Sequence, residues 1–111
     1  MISKTLLTIV LGKTIIKLKL KNNKIVYVGG NTQKRKKINI YELAHKCKEW
    51  ARDNDFFLRS FYDYEGAFCY ISAPEWVDKI NIPKTGFSSE TEPEAIIEAC
   101  EYILQQTKKG I

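Results

Sequence analysis

The alternation Ile16-Lys17-Leu18-Lys19-Leu20-Lys21 constrains the fold more than any other feature. A period of two puts the apolar side chains on one face of an extended segment and three ammonium groups on the other, so the segment reads as a half-buried strand with a basic outer face. Asn22-Asn23 follows. Asn tolerates the positive φ angles that two-residue hairpins require, so Lys24-Ile25-Val26-Tyr27-Val28 is expected to return antiparallel. With Ser3 to Leu11 taken as a preceding strand and Gly12-Lys13 as its turn, residues 3 to 28 are expected to form a three-stranded meander ended by Gly29-Gly30-Asn31.

The periodicity then changes. Ile40, Leu43, Ala44, Cys47, Trp50 and Ala51 form a continuous helical stripe, with Asn39 at the N-cap position and Glu42 three residues on. Asp53-Asn54-Asp55 stops that helix. Residues 56 to 71 revert to strand chemistry, two aromatic-rich runs joined around Tyr64-Glu65-Gly66, and Lys79-Ile80-Asn81-Ile82 is a further short-strand candidate. A last helix starts at the capping box Thr91-Glu92-Pro93-Glu94, with Ile96, Ala99, Cys100, Ile103 and Thr107 on one face and Lys108-Lys109-Gly110 as its close. The expected fold is α+β: an antiparallel sheet made of the N-terminal three-stranded meander plus a later hairpin, two helices packed on one face, order βββ-α-ββ(β)-α. A single domain over residues 1–111 is expected, with the basic β-meander in 1–30 and an α-β-β-α portion in 38–111. The chain contains no internal sequence repeat.

Charge is distributed unevenly. Twelve of the first 48 residues are Lys or Arg and Glu42 is the single acid there, whereas the rest of the chain is net acidic. A clustered positive field attracts polyanions however the chain folds. Lys34-Arg35-Lys36-Lys37 lies just before a helix N-terminus, where the macrodipole already presents positive charge, so its placement is mildly unfavourable. Glu90, Glu92 and Glu94 stand at the start of the last helix, where the dipole favours them. The acids have a structural reason for their position and the bases do not, which makes Lys34, Arg35, Lys36 and Lys37, with the strand lysines Lys17, Lys19 and Lys21, the candidate nucleic-acid contacts. Lys is a point charge suited to phosphates, and three Arg residues leave little for bidentate base reading, so low sequence specificity is expected.

Other chemistry finds little material. His45 is the one histidine, and its spacing from Cys47 points the two side chains to different helix faces. Cys47, Cys69 and Cys100 form no Cys-x-x-Cys pair and read as small apolar core residues. No spacing of Asp53, Asp55, Asp63 and Glu65 matches a calcium or magnesium loop, and Gly29-Gly30 lacks the lysine of a phosphate loop. No catalytic residue, metal ligand or cofactor is therefore assigned, and a non-enzymatic protein is expected. Phe56, Phe57, Phe61, Tyr62, Tyr64, Phe68 and Tyr70 stand among these acids and are expected to serve mostly as core and cross-strand packing. The apolar run Leu6 to Leu11 is far short of the roughly 20 residues of a membrane helix and is followed by no signal-cleavage site, so a cytoplasmic protein without membrane contact is expected.

Ile38-Asn39-Ile40-Tyr41-Glu42-Leu43-Ala44-His45-Lys46-Cys47-Lys48-Glu49-Trp50-Ala51, followed by strands and then Phe87-Ser88-Ser89-Glu90-Thr91-Glu92-Pro93-Glu94-Ala95-Ile96, resembles short uncharacterised proteins found in prophages. The resemblance covers residues 38–111. It implies a mobile-element origin and a compact α/β sandwich, and supplies no catalytic residues. The helix, strands and helix after residue 38 are also similar in order to a double-stranded-RNA-binding domain, but the final helix here opens on three glutamates where that module presents lysines, and that reading is set aside.

Two functions are expected on these grounds. The first is a binding module, of the kind found as a phage or mobile-element accessory factor, contacting an unknown protein partner through Pro74 and Trp76 or a second copy through an open sheet edge. The alternative is weakly sequence-specific binding of nucleic acid through the basic N-terminal half.

Overall fold

The computed structural model describes residues 2–30, 34–75 and 81–109. Its order is α-βββ-α-βββ-α: α1 (Lys4–Leu11), β1 (Ile15–Lys21), β2 (Lys24–Gly29), β3 (Lys36–Asn39), α2 (Ile40–Asp53), β4 (Phe57–Asp63), β5 (Gly66–Ser72), β6 (Phe87–Ser89) and α3 (Glu92–Lys109). This corrects the expected βββ-α-ββ(β)-α order with two helices. Three helices and two separate three-stranded antiparallel sheets, β1-β2-β3 and β4-β5-β6, make up the fold.

The first correction is α1, where a strand was expected. Ser3 takes the N-cap conformation and its hydroxyl accepts from the Leu6 amide at 3.1 Å, while Gly12 closes the helix at φ 70° and donates to the Thr8 carbonyl. A run apolar at every position but Thr8 carries no clear periodicity, so the choice between helix and strand fell to those caps and to burial. Leu6 and Leu7 are fully buried, and the Ser3 hydroxyl and amide both donate to Glu101 of α3, at 2.7 and 3.1 Å. The second correction is β3. It pairs with β2 through Lys24–Asn39, Ile25–Ile38, Val26–Lys37 and Tyr27–Lys36, which turns half of the basic run into an edge strand. The third strand of the second sheet is β6, not residues 79–82: 76–80 lie outside the described residues, and Asn81 and Ile82 are not in a strand.

The expected hairpin between β1 and β2 is present, with Asn22 at φ 56° in its turn, and so is that between β4 and β5, where the Asp63 carboxylate accepts from the Glu65 amide at 2.8 Å. Asn39 caps α2 by accepting from the Tyr41 amide at 2.8 Å, and Thr91 caps α3 by accepting from the Glu94 amide at 3.4 Å. Inward-facing residues of both sheets and one stripe of each helix meet in a single core. Leu43, Cys47, Cys69, Cys100 and Ile103 are fully buried in it, and no polar or charged residue is buried among the described ones.

The two sheets repeat one motif that the sequence conceals. Lys21 faces Lys24 as Asp63 faces Gly66, Lys19 faces Val26 as Phe61 faces Phe68, and Lys17 faces Val28 as Arg59 faces Tyr70. Each meander follows a helix and leads into another. The side chains at matching positions differ in kind, so the repeat exists in backbone pairing alone.

Candidate nucleic-acid interface

The outer face of the first sheet follows from strand alternation and register. Lys17, Lys19 and Lys21 share one face of β1. Their antiparallel partners Val28, Val26 and Lys24 share it on β2, and Lys37 joins from β3 opposite Val26. Successive lysines of β1 are about 7 Å apart along the strand, and the β1 and β3 rows lie about 10 Å apart with the valine row between them. Arg35, two residues before Lys37, extends the β3 row. The result is an open groove of about 530 Å³ with an apolar floor at Val26 and Val28 and cationic walls.

Of the residues expected to contact nucleic acid, Lys17, Lys19, Lys21, Arg35 and Lys37 line this groove, whereas Lys34 and Lys36 do not. Lys36 faces Tyr27, which puts it on the opposite side of β3, and both Lys34 and Lys36 are exposed. Lys24 lines the groove and was missed by the sequence reasoning. The signal for it was available: a two-residue turn at Asn22-Asn23 sets Lys24 opposite Lys21 on the same face.

No carboxylate among the described residues lines the groove. Among the described residues the one close contact between a basic and an acidic side chain is that of exposed His45 with Glu49 on α2, at 3.4 Å. The acids near α3 are engaged locally: Glu92 accepts from the Ser60 hydroxyl at 3.3 Å, Glu94 from the Ser89 hydroxyl at 3.1 Å, and Glu101 from Ser3. Six like charges therefore share one sheet face without a countercharge among its lining residues. Lys21 and Lys24 stand directly opposite each other, a pairing that weakens a sheet by some tenths of a kcal/mol.

The matching face of the second sheet is aromatic. Phe57, Arg59 and Phe61 of β4 lie beside Phe68 and Tyr70 of β5, while Leu58, Ala67, Cys69 and Ile71 point to the core side. Of the aromatic residues expected to serve mostly as core and cross-strand packing, Phe56 is core and Phe61 packs across the strands on Phe68 and Tyr70. Phe56 is buried, but Phe57 is 46% and Phe61 38% exposed, Tyr62 and Tyr64 are more so, and Phe68 and Tyr70 are half-buried. Register decides it: Phe57, Phe61, Phe68 and Tyr70 share the outward positions, while the inward ones hold Leu58, Ser60, Ala67, Cys69 and Ile71, with Phe87 of β6 packed beside them and Tyr62 at the strand's exposed end.

The three cysteines are free thiols in the core. Burial pushes the Cys69 thiol up to about 11, against a smaller lowering by Lys48. Cys100 is also pushed up, first by its hydrogen-bonded neighbour Cys47 and then by burial, and its thiol donates to the Cys47 carbonyl at 3.4 Å. Neutral buried thiols of this kind are poor nucleophiles. Pro74 is half-buried in the segment after β5, and Trp76 lies outside the described residues. Among the described residues, no helix is long and apolar enough to cross a membrane. Comparison with protein-family models finds no match, and searches of curated proteins and of solved structures find none either.

Proposed function

We propose that the protein binds nucleic acid through its phosphate backbone, using the outer face of β1, β2 and β3. The observation that carries this reading is the convergence of Lys17, Lys19, Lys21, Lys24, Arg35 and Lys37 on one groove that no carboxylate among the described residues lines. Such an arrangement is self-repulsive in the free protein and gains from a polyanion, which releases its condensed counterions on binding. Arg35 is the one guanidinium in the groove, so recognition is of charge and spacing, with weak dependence on base sequence. Contact with an unknown protein partner through Pro74 and Trp76 is the second reading, and Trp76 lies outside the described residues. A homodimer through the β1 edge is disfavoured, because lysines repeated along an edge strand oppose edge-to-edge pairing.

The test is fluorescence anisotropy with random single-stranded and duplex DNA and RNA at about 50 and about 200 mM salt, on the parent and on a variant carrying Lys17→Gln, Lys19→Gln, Arg35→Gln and Lys37→Gln. Six phosphate contacts predict a loss of about 10³-fold in affinity across that salt range, and the variant should bind far more weakly with a shallower salt slope. Absence of binding at the lower salt, or equal binding by the variant, would remove the groove from the function.

A further inference from the structure

The aromatic face of the second sheet is a feature that phosphate binding does not use. Phe57, Phe61, Phe68 and Tyr70 lie on one open face, with Arg59 between Phe57 and Phe61 on β4 and opposite Tyr70 on β5. The Phe61 ring is 5.5 Å from that of Phe68 at 28° and 5.7 Å from that of Tyr70 at 15°, so Phe61 stacks with both of its neighbours across the strands. Gly86 packs against one edge of the Tyr70 ring, where a Cβ would stand 2.8 Å from it, and leaves Phe61 the most exposed of the three. A core position has no need of such an arrangement, and exposed apolar patches of this kind mark binding surfaces.

We propose that this face stacks the bases of single-stranded nucleic acid, an inference that rests on the phosphate-binding reading of the first sheet and names its substrate class. Three observations select this occupant. The large apolar side chains at the outer positions of β4 and β5, Phe57, Phe61, Phe68 and Tyr70, are all aromatic, with no Leu, Ile or Val among them, whereas Leu58, Ala67 and Ile71 stand at inner positions. Flat π faces are what unpaired bases stack on, whatever their identity. Charge complementarity supplies the second argument. Arg59 offers a planar cation within the patch, the adjoining groove at Phe57 carries Lys48 and Arg52 beside one acid, Glu49, which contacts His45, and the face's carboxylate, Asp63, accepts from the Glu65 amide in the hairpin turn. The third is the repeated motif. Positions that carry Lys17, Lys19, Val26 and Val28 in the first sheet carry Arg59, Phe61, Phe68 and Tyr70 in the second, so one backbone motif presents a phosphate-binding face once and a base-stacking face once. A duplex hides its base faces and offers phosphates alone, so the two faces together distinguish a single strand from a duplex.

The test compares a fluorescein-labelled oligothymidylate of about 20 nucleotides, its duplex with oligoadenylate, and an abasic strand of the same length. At a rise of about 3.4 Å per nucleotide the strand is about 70 Å long and exceeds the 43 Å long axis of the protein, so it can reach both faces. Phe61→Leu with Phe68→Leu keeps apolar bulk and removes the π faces. The expected result is weaker binding of the duplex and of the abasic strand than of the oligothymidylate, and a loss of fivefold or more in oligothymidylate affinity for the double variant at an unchanged salt slope. Equal binding of all three ligands, or parent-like binding by the folded double variant, overturns the stacking proposal while leaving the phosphate groove intact. If instead the parent binds no nucleic acid, both readings fall. A parent that sediments as a dimer and a double variant that sediments as a monomer would assign the face to self-association and overturn the proposal. Should the double variant not fold, photocrosslinking of an iodouracil-substituted strand to the parent decides the matter: adducts in the peptide spanning residues 57–72 support stacking there, and adducts confined to other peptides refute it.

Discussion

Gly86 lies against the ring of Tyr70 so closely that a Cβ at position 86 would stand 2.8 Å from Tyr70 Cδ1 and 2.9 Å from the Cys69 carbonyl oxygen. Its φ of 72° is also one that side-chain-bearing residues rarely adopt. Gly86→Ala should therefore displace the Tyr70 ring and cost about 1–3 kcal/mol of stability, as measured by urea denaturation. Parent-like stability would mean that the segment before β6 can move away without penalty.

Ser3 joins two elements that are distant in sequence, capping α1 at Leu6 and donating to Glu101 of α3. Ser3→Ala removes both hydroxyl contacts, and a loss of about 1–2 kcal/mol is expected in the same assay. An unchanged unfolding midpoint would contradict a helix at Lys4–Leu11, since a strand there would have no use for the cap.

The side of β3 on which a cation stands predicts its effect on binding. Lys37→Gln should lower the salt slope of nucleic-acid binding by about one and weaken all sequences alike, whereas Lys36→Gln, on the opposite side, should leave the slope near its parent value. Equal effects from the two substitutions would show that the run acts as diffuse charge and not through the groove.

Cys69 supplies a pH dependence of defined sign. Its thiol ionises at about 11 in the folded chain because of burial, against an ordinary value of 9.0. Below pH 9 the thiol is protonated in both states and contributes no pH dependence. Between about 9 and 11 the unfolded chain releases a proton that the folded chain retains, so stability falls as pH rises through that interval. Urea midpoints for the parent and for Cys69→Ala should converge across this window, and parallel curves would rule the thiol out as their source. Alkylation by iodoacetamide at pH 8 should likewise be slow in the folded protein and rapid in urea.

What could be read from residues alone was local. The β1–β2 hairpin is legible because alternation and an Asn-Asn turn operate over a few neighbouring residues, and α2 and α3 are legible because apolar stripes and capping residues do the same. Lys17, Lys19 and Lys21 could be assigned to a single face for that reason. Leu6 to Leu11 could not be assigned, since a run with one polar residue, Thr8, among five apolar ones satisfies either period. Its helix is selected by the burial of Leu6 and Leu7 and by Glu101, far away in the chain.

Tertiary structure decided the rest. Lys36–Asn39 has one apolar residue, Ile38, and becomes a strand because β2 offers it an open edge. That pairing divides the basic run, bringing Arg35 and Lys37 to the groove and leaving Lys34 and Lys36 outside it. Phe57, Phe61, Phe68 and Tyr70 look like core residues by composition and stand on an open face by register. Sequence specifies which side chains a strand presents together. Which of its two faces is covered depends on elements packed from elsewhere in the chain, since burial is a property of the assembled layers and not of the segment.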